Sequence, residues 1–155
     1  MATSVVPAAI DALLEILRAA PALTGVQIVD GPPVDDQSGS DQVCIGYQPG
    51  EGESASMLQD FAYIGARQRE ENGVISCWID CWAGDSDIRP RRQRGFELLA
   101  VVEDALRASE AAPEAPTLNG VVQWAQVAGA SLRQGNTDQG ARAGVGFTVT
   151  YLARI

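Results

Sequence analysis

The groups in this sequence that could carry acid–base or metal chemistry are few: Asp35-Asp36, Asp80, and Asp85 with Asp87. Paired carboxylates hold Mg2+ or Ca2+ when several converge on one site. Here their contexts offer simpler accounts. Asp35-Asp36 opens the polar run DDQSGSD just beyond Pro32-Pro33, where a surface loop is expected. Asp85-Ser86-Asp87 stands directly before a helical pattern, and helix capping accounts for both carboxylates. No metal site is expected, and no cofactor. Cys77 and Cys81 lie on one strand face about 13 Å apart, too far for a disulfide. Cys44 could meet either, but the three thiols read as small buried hydrophobes in a reducing compartment. Their spacing resembles no zinc site. The chain has no histidine, which removes the commonest general base and neutral metal ligand. It has no GxSxG, no P-loop and no glycine-rich turn between a strand and a helix; GARAGVG runs into a strand instead. Enzymatic activity is not expected.

What stands out is a set of cations and indoles. All eleven positive residues are arginine. Arg89, Arg91, Arg92 and Arg94 crowd the start of a predicted helix, whereas Glu97, Glu103, Asp104 and Glu110 lie toward its end. That opposes the macrodipole preference, at a cost on the order of a few tenths of a kcal/mol per charge. Arg94–Glu97 and Glu103–Arg107 pairs offset part of it. The arginines are either a solvated face or partners for carboxylates of a neighbouring subunit, a role that suits the guanidinium fork. Glu51, Glu53 and Asp60 are the candidate acceptors. Trp78 and Trp82 share a strand face with Val74, Ser76 and Asp80, opposite the face of Ile75, Cys77, Ile79 and Cys81. The second face is core. The first is covered either by a long loop or the final hairpin, or by another subunit, for which tryptophan and arginine are typical anchors.

These groups need elements to hold them. Pro7 to about Ala20 reads as a helix with Ile10, Leu13, Leu14 and Leu17 as its apolar stripe, Ser4 as candidate cap and Pro21 as its stop. Strands follow at Val26–Asp30 and Gln42–Tyr47, then a flexible loop over about 48–59 rich in Gly, Glu and Ser. A strand over Asp60–Arg69 is joined to Val74 by Glu70-Glu71-Asn72-Gly73, with Asn-Gly as the hairpin turn. That register puts Ala62, Ile64 and Ala66 on the core face. It puts Tyr63, Arg67 and Arg69 beside the indoles, with Arg67 opposite Trp78 in a cation–π pair. A second helix spans about Pro90–Ser109 through Leu98, Leu99, Val102, Ala105 and Leu106. A closing hairpin joins 120–133 to 142–154 around GNTDQG, with Val145, Phe147, Val149 and Tyr151 facing the core. The order α-β-β-β-β-α-β-β predicts one α+β domain over 1–155. It is a two-layer sandwich: a largely antiparallel sheet with both helices on one face.

With 155 residues, 46% of them hydrophobic, the chain can bury a real core in one domain. Its net charge of −9 argues against binding nucleic acid or anionic membranes. The N-terminal run lacks a basic segment and carries Asp11 and Glu15, so neither a signal peptide nor a membrane span is expected, and the protein is expected to be made in the cytosol.

Nearly the whole pattern resembles the tail terminator and tail-completion proteins of long-tailed bacteriophages. The resemblance is carried by AAIDALLEILRAAPALTG followed by VQIVDGPP, by QVCIGY, by VISCWIDCWAGD leading into RRQRGFELLAVVEDALRA, and by the closing GFTVTYLARI. The chain departs from that family in lacking a proline directly before QVCIGY and in the Gly/Glu/Ser insertion after it. The resemblance implies a non-enzymatic virion protein of the neck region, assembled in the host cytoplasm. It would form a homo-oligomeric ring, typically six-fold, that caps the head-proximal end of the tail tube. Its partners would be its own copies, the major tail tube protein and a head-completion or connector protein. DNA would pass through without specific binding. A ring needs heterologous contacts between unlike patches, and the arginine run and acidic loop are candidates. Alternatives are a head–tail joining adaptor of the same particle and a stand-alone acidic binding or inhibitor protein.

Overall fold

A computed structural model describes residues 3–33, 41–50, 52–65, 67–138 and 140–155. The elements are α1 (Val6–Ala19), β1 (Gln27–Asp30), β2 (Gln42–Ile45), β3 (Ala55–Phe61), β4 (Arg69–Trp82), α2 (Ile88–Ala105), β5 (Trp124–Thr137) and β6 (Gly140–Arg154). Their order is the one the sequence predicts, and the fold is α+β. Six strands form one sheet in the order β1-β2-β4-β6-β5, with β3 also on β4. Only β1 and β2 are parallel among these pairs. The core is a single cluster in which α1 and α2 pack on one sheet face.

Local chemistry explains each helix. In α1, Leu13, Leu14 and Leu17 are buried and Ile10 is partly so, following the 3.6-residue period. The Ser4 hydroxyl accepts a hydrogen bond from the Val6 N–H at 3.1 Å, serving a first-turn donor that the helix cannot satisfy. Asp87 caps α2, accepting from the Arg89 N–H at 3.3 Å, and Asp85 accepts from the Asp87 N–H at 3.2 Å. The helix therefore starts at Ile88, ahead of Pro90, and it ends at Ala105, short of Ser109. Leu98, Leu99, Val102 and Leu106 are buried as its stripe requires.

The long central pair is β4 with β6, from Glu70 opposite Arg154 to Trp82 opposite Arg142. Ile75, Cys77, Ile79 and Cys81 lie on its core face with Val145, Phe147, Val149 and Tyr151, all essentially inaccessible. Glycine makes room for the aromatics on this pair. The Trp78 ring lies over Gly144, where a Cβ would fall 1.9 Å from the ring; Gly144→Ala should therefore cost about 1–3 kcal/mol, read from chemical denaturation.

The hairpin register differs from the expected one. Asn72 and Gly73 are not a turn; they lie inside β4, opposite Leu58 and Met57. β3 pairs from Ala55 opposite Ile75 to Phe61 opposite Arg69, and residues 62–68 make the connection. The second half of the expected 48–59 loop is thus strand. Two effects override the Asn-Gly signal. β6 holds β4 straight along its other edge, and Gly73 is needed flat beneath the Tyr151 ring, where a Cβ would meet Cζ at 2.0 Å. Several expectations fall with the turn. Ile64 is fully exposed, not core, and Ala66 lies outside the described residues. Trp78 pairs with Cys44 and Gly146, so Arg67 does not sit opposite it and the expected cation–π pair is not formed. Tyr63 lies in the connection and Arg69 faces Phe61, both away from the indoles.

Candidate assembly surface

The arginine run at the head of α2 is largely occupied within its own subunit. Arg94 donates from Nε to Asp41 at 2.8 Å and lies 3.6 Å from Glu97. Arg91 reaches Asp85 at 4.0 Å, while its buried Nε makes no hydrogen bond among the described residues. Arg92 donates to the Gln134 side chain at 3.2 Å. Arg89 is exposed and has no ion-pair partner among the described residues. These contacts tie α2 to the segment before β2, to β5 and to its own capping loop. The indoles are half-buried. Trp78 rests on Gly144 and Gly146 and borders a shallow hollow of about 260 Å3 with Pro49, Asp80 and Arg142. Trp82 stands opposite Arg142, whose guanidinium grips the buried Asp80 through Nε at 2.9 Å and through Nη2. Glu53 and Asp60 are exposed. Glu51 lies outside the described residues.

The surface that sequence reasoning missed is the hairpin arm of β3 and the connection after it. Met57, Leu58, Phe61, Tyr63 and Ile64 are five of the seven large hydrophobic side chains exposed among the described residues. Phe61 is 73% exposed, Leu58 65% and Ile64 fully. Met57, Leu58 and Phe61 sit on a strand paired only with β4 among the described residues, so its outer N–H and C=O groups are open, and Tyr63 and Ile64 follow in the connection. β3 has no proline, no lysine and one charge, Asp60. Natural sheets guard open edges with such residues, and an unguarded edge that displays large apolar side chains is open to pairing or docking. One signal was available: Met57-Leu58 and Tyr63-Ile64 are adjacent apolar pairs. A strand with one buried face cannot bury both members of such a pair.

The arm is anchored at its base by a second unpredicted group, Glu71. This carboxylate is fully buried. Its Oε1 accepts from the Tyr151 hydroxyl at 2.7 Å, the Ser4 hydroxyl at 3.0 Å and the Val5 N–H at 3.2 Å. Its Oε2 accepts from the Gln59 amide at 2.5 Å, and Gln59 also donates to the Thr3 carbonyl at 2.7 Å. Burial pushes the Glu71 pKa up, but hydrogen bonds from Tyr151, Gln59, Ser4 and Val5 outweigh it and hold the group below its ordinary value. Burial and the bond to Glu71 push the Tyr151 hydroxyl up. Glu71 thus latches β3, β6 and the segment before α1 onto β4. Both of its oxygens accept hydrogen bonds, as suits a structural anchor.

The three thiols are all buried. Burial, reinforced by the Asp80 charge, pushes the Cys44 thiol up to about 12; burial likewise pushes Cys77 up to about 12 and raises Cys81. Cys44 lies on the sheet face opposite to Cys77 and Cys81, so the sheet itself separates it from them. A thiol reagent should titrate none of the three in the native protein and all three after denaturation; rapid labelling of the native state would contradict this burial. Among the described residues, no group of three or more Cys, Asp or Glu side chains is placed to hold a metal ion.

Other hollows lie on the helix side of the described surface, one of them between the helix ends. Where the C-terminal ends of α1 and α2 meet the segment 109–119, a hollow of about 380 Å3 opens. Ile16, Ala19, Ala105, Ala111 and Pro113 line it, and Glu15, Asp104 and Glu114 border it. No protein-family model matches the chain, and no curated protein matches it either.

Proposed function

We propose that this protein is a structural subunit of a phage particle that caps the head-proximal end of the tail tube, stops tube polymerisation and presents the surface to which the head attaches. The observation that supports this best is the exposed apolar arm, Met57 to Ile64, on an unguarded sheet edge. A body whose buried carboxylates, Glu71 and Asp80, and three thiols are held inside the subunit, with most of its exposed large apolar side chains gathered on one hairpin, is suited to docking and not to catalysis. On this reading the chain assembles with its own copies into a ring, typically six-fold, between the tube protein and a head-completion or connector protein in the virion neck. Its net charge of −9 favours DNA passing the ring without adhering.

Electron microscopy of particles assembled without the protein tests the reading. Tubes longer than normal and lacking heads are expected. Tails of normal length carrying heads would refute it.

A further inference from the structure

We infer that the arm tip of one copy seats in the hollow between the helix ends of the next copy, with Arg67 meeting the acidic rim. The inference rests on reading the protein as an assembly subunit, but not on which particle it serves.

The two surfaces are complementary in chemistry and share no residue. The tip offers Phe61, Tyr63 and Ile64 exposed, and Arg67 is the one charge in 62–68. Arg67 is itself exposed and has no ion-pair partner among the described residues. The hollow, at about 380 Å3, is of a size that takes a compact apolar group, and its lining is mostly alanine and proline with Ile16 beneath. No cation is among its lining residues, and three carboxylates border it. Asp104 is held by Arg107 at 3.3 Å and Glu114 accepts from the Thr117 hydroxyl at 3.3 Å, both at exposed positions. Glu15 has no partner among the described residues. An apolar knob carrying one guanidinium therefore fits an apolar socket edged with acid, and arginine suits such a rim.

A second copy is the occupant because each chain carries both the knob and the socket. When one patch binds a different patch on the next copy, the contact is heterologous, and repetition gives a ring if the rotation closes or a filament if it does not. An isologous arm-to-arm dimer would bury the apolar residues but would leave the socket empty and its acidic rim without the Arg67 cation.

Cysteine cross-linking tests the contact. All three native thiols are inaccessible, so introduced thiols react selectively. I64C and A111C are prepared separately, mixed, and treated with a short bifunctional maleimide, both as concentrated protein and on assembled particles. A cross-linked dimer is expected in the mixture and not in either variant alone, and the double variant I64C/A111C should give a ladder of oligomers. R67E should lower the yield about tenfold, and E114R should restore much of it. Cross-linking of I64C to itself, or no I64C–A111C product in either setting, would overturn the inference. So would an R67E loss that reversal at the rim does not restore. Particles that make normal tails without the protein would refute the tail-capping reading and leave the contact standing. Overlong tails together with no I64C–A111C product would refute the contact alone.

Discussion

Glu71→Ala should lower the stability of this fold by about 3–5 kcal/mol, the largest effect expected of any single side chain here. The size follows from what is left behind. The Tyr151 hydroxyl, the Gln59 amide, the Ser4 hydroxyl and the Val5 N–H all lose their acceptor, and the tyrosine is itself buried. A buried donor without a partner pays its full desolvation penalty. Glu71→Gln keeps the volume and one acceptor oxygen but sets an NH2 group against donors, so an intermediate loss is expected. Urea denaturation at neutral pH measures both. The same group fixes a pH dependence. Its folded-state pKa is depressed below the ordinary 4.5, so the stabilisation is complete above that value. It is lost as pH falls through 4.5 and on through the folded-state pKa. The wild-type protein should therefore lose stability steeply in acid, and E71Q should show a shallower acid limb. Equal acid limbs for the two proteins would show that Glu71 does not carry this linkage. Because Gln59 belongs to β3, E71A should also speed hydrogen exchange of the β3 amides beyond the global change.

Phe61→Asp with Ile64→Asp should do the opposite: abolish assembly while leaving the fold intact. Both side chains are largely solvated in the isolated subunit, so stability should change by about 0.5 kcal/mol or less. Solubility should rise, since an apolar edge strand gains two gatekeeping charges. Within a contact, two carboxylates would be buried against apolar lining and beside Glu15, Asp104 and Glu114. The combined desolvation and repulsion would remove the association. Melting curves and sedimentation together separate the two effects; a large drop in melting temperature would mean that the arm packs on its own subunit.

Much of the architecture was legible because periodicity is strong where the core is continuous. The α1 and α2 stripes, the alternation from Ile75 to Cys81 and the alternation from Val145 to Tyr151 each fixed an element and its buried face. The β3–β4 hairpin was not legible, for a physical reason. Asn72-Gly73 is a sound local turn signal, but Gly73 serves Tyr151, a partner some eighty residues away, and no local pattern reports that. The misplaced turn then drew Ile64 into the core on paper and left the exposed arm unseen. Glu71 was hidden in the same way: a glutamate beside a turn reads as solvent-facing until its four donors, drawn from three other segments, are brought around it. The arginine cluster was visible from spacing alone. Its distribution among Asp41, Asp85 and Gln134 depended on tertiary contacts that spacing does not encode.

If the protein works through its arm as a contact surface, an arm that folds but cannot dock should leave tails uncapped. Tail lengths in particles assembled with F61D/I64D in place of the wild-type chain test this most directly. Overlong, headless tubes are expected, indistinguishable from those made with no protein at all, although the variant is folded and abundant. Tails of normal length bearing heads, built with that variant, would contradict it.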